Sequence, residues 1–201
     1  LIVCIANLCA DYVVANSSAI AEAFIAQGAR KNKVRVIHNG IELTQFHPDN
    51  RPLDLHASLS LDPERPLVSI FSRLDRWKGH VYFLQAAAQT RQDHPDVHFL
   101  VVGATTFDNE GYTDELYALT RELGLTDCVH YLGFREDIAD LMAISDVVVH
   151  ASILPEPLGL TPMEAQAAGR PVIAAKAGGV LETVRAVLTS GGNLEASARA
   201  M

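Results

Sequence analysis

From Leu67 onward the chain repeats one pattern. A short run of residues that are apolar at nearly every position is followed by a segment long enough for a helix, and the pair recurs at Leu67–Phe71, Val97–Val102, Cys128–Leu132, Val147–Val149 and Pro171–Ala174. Strands apolar at every position, rather than at alternate ones, are buried on both faces. Helical connections between such strands imply a parallel sheet with crossovers packed on either side. The intervening segments fit. Gly79 opens a helix running to about Asp93 with Pro95 as its stop, Leu116, Leu119 and Leu123 recur at helical spacing, and Ile138–Ile144 makes a short helix. From Ala151 to Val184 one more unit follows, with a Pro/Gly loop, a helix, the strand at Pro171–Ala174, and a Gly-Gly turn into another helix. The fold class expected is α/β, a Rossmann-like parallel sheet with helices on both faces. Ligands of such open sheets bind outside the carboxyl ends of the strands.

Upstream, Tyr12–Ala15 and Val34–Ile37 read as strands, the second buried. Ser17 or Ser18 caps a helix between them that carries Ile20, Phe24 and Ile25 on one face and ends at Gly28, and Asn39-Gly40 is a turn dipeptide. Between His47 and Pro66 four prolines (Pro48, Pro52, Pro63, Pro66) interrupt any period, so this segment reads as a linker. The division expected is a small unit at 1–47, a linker at 48–66 and the main unit at 67–201.

Composition removes several classes of function. A formal net charge of −8 over 201 residues argues against a nucleic-acid partner. Any phosphate must then be held by local cations and helix ends. Three cysteines without a C-x-x-C pair indicate reduced thiols in a cytosolic protein, and eight scattered histidines form no zinc motif. Asn7 and Asp11 interrupt the apolar start well short of the ~20 residues a bilayer requires. With no initiator Met and no basic region the start is not a signal peptide, and the chain reads as beginning within a longer one.

Three loops at carboxyl ends of strands hold the candidate residues. In SRLDRWKG, Arg73 follows a strand and Lys78 precedes a helix, so two cations and a helix N-terminus could grip a diphosphate; alternatively both pair with Asp75 in a solvated turn. In GFREDI, Phe134 or Arg135 offers a flat face to a base, or Glu136 and Asp137 merely open a helix. In the third loop Glu156 and Glu164 could accept hydrogen bonds from vicinal hydroxyls, while the N–H groups of Gly159, Leu160 and Thr161 face a phosphate. The other use of Glu164 is a capping box with Thr161 across Pro162. His150 reads as structural and Trp77 as a loop anchor. The chain contains no G-x-G-x-x-G, no G-x-x-x-x-G-K-[ST], no G-x-S-x-G, and no D-x-D to hold a metal on a sugar nucleotide.

Taken together these segments resemble glycosyltransferase family 4 (group 1), enzymes of the GT-B fold. EPLGLTPMEAQAAGRPVIA resembles the family's E-x(7)-E motif, SRLDRWKG its phosphate loop, VIHNGIELTQF the segment before the interdomain linker, and LGFREDIADLMAISDVVVHAS the base-binding turn and following strand. The resemblance implies that 67–201 is a nucleotide-sugar donor domain, truncated at its C-terminal end, and that 1–47 is the remnant of an acceptor domain. It implies that Arg73 and Lys78 grip the donor diphosphate, aided by backbone at Gly159 and Leu160. Glu156 then orients donor-sugar hydroxyls, Glu164 binds the ribose, and Phe134 and Arg135 meet the base. The reaction implied is retaining transfer of a hexosyl group from a nucleotide-diphosphate sugar to an acceptor hydroxyl, in glycan, glycolipid or polysaccharide synthesis, with no metal and no other cofactor. The acceptor (a glycan, lipid or small molecule) would bind the missing N-terminal domain, so the piece alone is expected to be inactive. The compartment expected is the cytoplasm, with peripheral contact to the cytosolic membrane face left open. An epimerase or phosphorylase on the same fold, or a non-catalytic nucleotide-binding module, are the alternatives. Departures from the family pattern are Phe71-Ser72 where a glycine usually precedes the arginine, Glu42 in place of Asp, and the tail from Ala186 onward.

Overall fold

The computed structural model describes residues 2–50, 55–105, 111–184 and, for the backbone alone, 187–189. Its centre is a six-stranded sheet, parallel throughout, built from β3 (Leu67–Phe71), β4 (His98–Val102), β5 (Val129–Gly133), β6 (Val147–His150), β7 (Val172–Ala175) and β8 (Val187–Thr189) in the order β5-β4-β3-β6-β7-β8. Strand β3 is buried at all five positions, as a run apolar but for Ser69 requires, and the Ser69 hydroxyl is satisfied by Ser145 Oγ at 2.7 Å. Alternate residues feed two cores. Leu67 and Phe71 join Leu100, Val148 and Val172 beneath α6 (Ile138–Ile144) and α7 (Leu160–Ala167). Val68 and Ile70 join Phe99, Val149 and Ile173 beneath α4 (His80–Asp93) and α5 (Tyr112–Glu122). The expected Rossmann-like class, with helices on both faces, is what the structure shows.

Segment 48–66 is more than a tether. It contains the helical turn α3 (Leu55–Ser58), and its Leu55 and Leu61 enter the first core together with Phe46. The prolines hide this in sequence because anchors spaced so unevenly have no period; residues 51–54 lie outside the described residues.

The small unit holds α1 (Ile2–Cys9), β1 (Val13–Ala15), α2 (Ser18–Ala26) and β2 (Val34–Val36), with β1 and β2 in parallel register. Ser17 is the N-cap, its hydroxyl accepting from Ile20 N at 3.1 Å. The expectation of a buried second strand is corrected: Val36 and Ile37 are 40% and 60% exposed, because β2 has one strand neighbour. The expected strand at Cys128–Leu132 sits one residue later, at Val129–Gly133. Strand β8 extends the sheet beyond the last expected helix (now α8, Val180–Thr183), while the tail from Ser190 lies outside the described residues.

Glu182 on α8 ties the units together. Its carboxylate accepts from the backbone N–H groups of Ser18 (2.8 Å) and Ala19 (2.9 Å) at the start of α2, and contacts His38 Nε2 at 3.0 Å. Burial opposes ionisation of this carboxyl, but the bonds from Ser18, His38 and Ala19 outweigh it and hold the group at about 2. An unfolded glutamate titrates near ~4.3. The folded value is the lower, so this contribution to stability is complete above the unfolded value and is lost as pH falls toward 2. Melting temperature should therefore be lower in Glu182→Gln at neutral pH, with a shallower acid decline below about pH 4.5. Identical melting curves for variant and parent at both ends of that range would remove Glu182 from this role.

Candidate functional site

In the sheet order, β3, β4 and β5 run out to one side and β6, β7 and β8 to the other, so the direction of winding reverses between β3 and β6. At such a switch point the loops leaving two neighbouring strands part and leave a crevice. The loop after β3 carries Arg73 and Lys78, and the loop after β6 carries Glu156. They meet backbone to backbone, since Ile153 N donates to Trp77 O at 2.8 Å. Gly79 has φ +78°, and a Cβ there would lie 2.0 Å from Ala151 O, so only glycine lets these loops approach so closely.

That approach delivers Lys78 to Glu156, with which it forms a direct ion pair. The ammonium also lies 3.9 Å from the centroid of the Trp77 ring, whose indole N–H donates to Asp75 Oδ2 at 2.8 Å. Asp75 thus serves the indole, and the solvated-turn alternative for Lys78 is not what forms. Trp77 anchors the loop, as expected, and also floors the lysine. Glu156 is 8% exposed, and its Oε1 further accepts from Ser152 Oγ (2.8 Å) and His150 Nε2 (3.2 Å). Burial would raise the Glu156 carboxyl, yet hydrogen bonds from His150, Lys78 and Ser152, with the charge of Lys78, hold it at about 2. Glu156 O accepts from Gly179 N at 2.8 Å, which fixes the backbone beneath this side chain.

Helix α7 begins at Leu160 with Gly159 as its N-cap, placing free N–H groups beside Glu156. The capping-box alternative is overturned. Thr161 lies inside the helix, and among the described residues no hydrogen bond engages the carboxylate of the half-buried Glu164, which is pushed up by burial. Arg73 is exposed and, among the described residues, its guanidinium makes no ion pair or hydrogen bond. Arg135 is already paired with Asp137 (Nε to Oδ1, 2.7 Å), so Asp137 opens α6 as its N-cap residue, as the alternative has it, but spends its carboxylate on the arginine and makes no side-chain cap bond. Phe134 is 74% exposed at the rim.

Two adjoining cavities open here. One, of about 320 Å³, is lined by Arg73, Lys78, His150, Glu156, Gly159 and Leu160. The other, of about 440 Å³, is lined by Arg73, Phe134, Arg135 and Glu164. Phe71, Ser72, Arg73 and Thr161 belong to both, so every candidate residue borders one continuous crevice. Three residues that line the first cavity, and Ser152 behind it, escape a reading of the sequence as site residues or are misassigned by it. His150 contacts the Glu156 carboxylate rather than a carbonyl, Ser152 donates to that carboxylate, and Asn16 and Asn39 reach the cavity from the small unit. The spacing H-x-S-x-x-x-E was a usable signal for the first two; Asn39 was masked by its role in a turn. Ser72, which precedes Arg73, bonds His80 Nε2 through its hydroxyl at 3.0 Å. Among the described residues no three His, Cys, Asp or Glu gather as a metal site, and no helix is long and apolar enough to cross a membrane.

A Rossmann-like α/β unit of the GT-B kind, with cations, a helix start and glutamates around one crevice, is thus the class of structure present. Residues 53–196 match the model of glycosyl transferases group 1, and the chain belongs to that family. It is 35% identical over 179 residues to the D-inositol 3-phosphate glycosyltransferase of Mycobacterium sp. (strain KMS), covering 88% of this chain and 39% of the relative. The protein of the same name from Rhodococcus erythropolis (strain PR4 / NBRC 100887) is 36% identical over 180 residues, covering 87% of this chain and 40% of that one. The chain therefore spans about two fifths of the length of these relatives. Anabaena Alr3699/HepE, solved with UDP and glucose, superposes with a TM-score of 0.90 at 38% identity, over 98% of this chain and 54% of that one. The C-terminal domain of a group 1 family glycosyl transferase (LpcC) from Francisella tularensis gives 0.68 at 28% identity, over 80% and 85%.

Proposed function

We propose that the protein carrying this chain is a family 4 glycosyltransferase, retaining and metal-independent, which moves a hexosyl group from a nucleotide-diphosphate sugar to an acceptor hydroxyl in glycan, glycolipid or polysaccharide synthesis. The observation that carries this reading is the shared crevice. An unpaired guanidinium (Arg73), an ammonium (Lys78) and the start of α7 border the same cavity as the ionised Glu156. As the bond to the diphosphate breaks, negative charge grows on the leaving oxygens, and preplaced cations and helix N–H groups stabilise it there. Glu156 accepts from hydroxyls of the donor sugar. Glu164, whose carboxylate has no hydrogen-bond partner among the described residues and is pushed toward its neutral form by burial, meets the ribose in the second cavity, where Phe134 and Arg135 meet the base. No nucleophile–base pair is required of this chain: transfer proceeds on one face through an oxocarbenium-like state, and the leaving phosphate takes the acceptor proton. The Anabaena neighbour was also solved with UDP-glucose, which supports a nucleotide-sugar donor. In this reading 67–201 is the donor domain, 48–66 the interdomain linker and 1–47 the end of an acceptor domain whose remainder binds the acceptor, with the protein working in the cytoplasm.

Thermal melts with UDP, GDP and ADP test it. At a hundredfold excess over Kd, one of the three should raise the melting temperature by about 5–10 °C. EDTA should leave both that shift and transfer by the longer protein intact. Silence with all three nucleotides would defeat the reading.

A further inference from the structure

The three hydrogen bonds to the Glu156 carboxylate fall on one oxygen. Lys78 Nζ, Ser152 Oγ and His150 Nε2 all engage Oε1, and among the described residues Oε2 engages none. Both His150 and Ser152 are buried, at 6% and 2% exposed. A carboxylate can only accept, so His150 carries its hydrogen on Nε2. Its Nδ1 is buried without a partner, which suits a bare ring nitrogen better than an orphaned N–H. The imidazole is therefore spent on holding one oxygen of one glutamate.

We infer that His150 and Ser152 are positioning residues for the donor sugar. They pin Oε1 of Glu156 so that Oε2 is left in a fixed place to accept a sugar hydroxyl. The inference rests on the sugar-nucleotide reading above and deepens it. Lys78 alone could not do this work. An ammonium has three N–H groups, and in the loaded site a phosphate competes for them. His150 and Ser152 hold the carboxylate from the strand β6 side whichever way Lys78 turns. The residues sit at i, i+2 and i+6 of one strand-to-loop segment, so the rigid sheet rather than a flexible side chain sets the position of the acceptor oxygen.

The test is calorimetric binding of two probes, UDP and UDP-glucose, to the full chain and to His150→Phe, His150→Gln and Ser152→Ala. The quantity read is the ratio of the two affinities, which reports contacts to the sugar alone. In His150→Phe that ratio should shift against UDP-glucose by about tenfold, and in Ser152→Ala by about threefold, with UDP itself within about threefold of the parent. His150→Gln, which keeps a donor near the same place, should restore the parental ratio. A ratio unmoved in His150→Phe and Ser152→Ala, or both probes weakened equally, overturns the inference while leaving the nucleotide reading standing. So does a parent chain that binds UDP but not UDP-glucose. A parent chain that binds neither probe overturns this inference, and it removes the reading itself where GDP and ADP are silent as well. Should His150→Phe fail to fold, Ser152→Ala decides the matter by the same ratio.

Discussion

Lys78→Ala should reduce kcat/KM of the longer protein by about 10³-fold and lower its stability by roughly 3 kcal/mol. Both effects have one origin. Lys78 is the cation paired with Glu156, a carboxylate 8% exposed whose burial is the largest single influence on its titration and opposes the charge. Without the ammonium that carboxylate remains buried with only His150 and Ser152 as donors, and the cavity keeps a single cation, Arg73, for a diphosphate. The two effects can be separated. Adding Glu156→Gln to Lys78→Ala removes the orphaned charge and should recover much of the melting temperature, yet no turnover. A double variant that regains turnover, or a single variant within tenfold of the parent, would show that the pair is merely structural.

The second large effect belongs to a residue with no side chain. Gly79→Ala should cost about 3–5 kcal/mol and lower the melting temperature by about 8–15 °C in a chain of this size, because its Cβ would stand 2.0 Å from Ala151 O. Gly124→Ala is the control. That glycine is also at positive φ (+68°), but nothing lies within 4 Å of its Cβ, so only the backbone penalty of roughly 1–2 kcal/mol applies. Equal losses in the two variants would show that the contact between the loops is slack. The expected asymmetry would place the strain where the strand β3 and strand β6 loops meet, beside the Lys78–Glu156 pair.

How much of this lay in the sequence differs from element to element. Strands β3 to β7 were readable because each is apolar at most positions, and a run such as Val147–Val149 has few other ways to fold, whereas the three-residue β8 was not foreseen. Helix α4 was readable at both ends, with Gly79 before it and Asp93 as its last residue. The strand β2 region misled because its apolar residues look like those of a core strand. Burial depends on what packs against a strand, and here too little does. Leu55 and Leu61 were missed for the opposite reason, since they fill the core from a segment whose prolines erase any period. Among the site residues, the types and local spacing of Arg73, Lys78, Glu156 and Glu164 identified them, whereas the partners of each were not accessible. The capping box at Thr161 and Glu164 was a sound local reading that failed because the helix begins at Leu160, two residues before Pro162.

The sequence by itself therefore determined the α/β class, the succession of buried strands and the loops that bear charge, because propensity, period and punctuation act over neighbouring residues. The tertiary structure alone decided that β3 lies beside β6. That adjacency joins Lys78 to a glutamate 78 residues away and sets Arg73 on the crevice that Glu156 borders. Strand order is set by how the two cores close around the whole sheet, a property of all the crossovers together that no single segment of chain encodes.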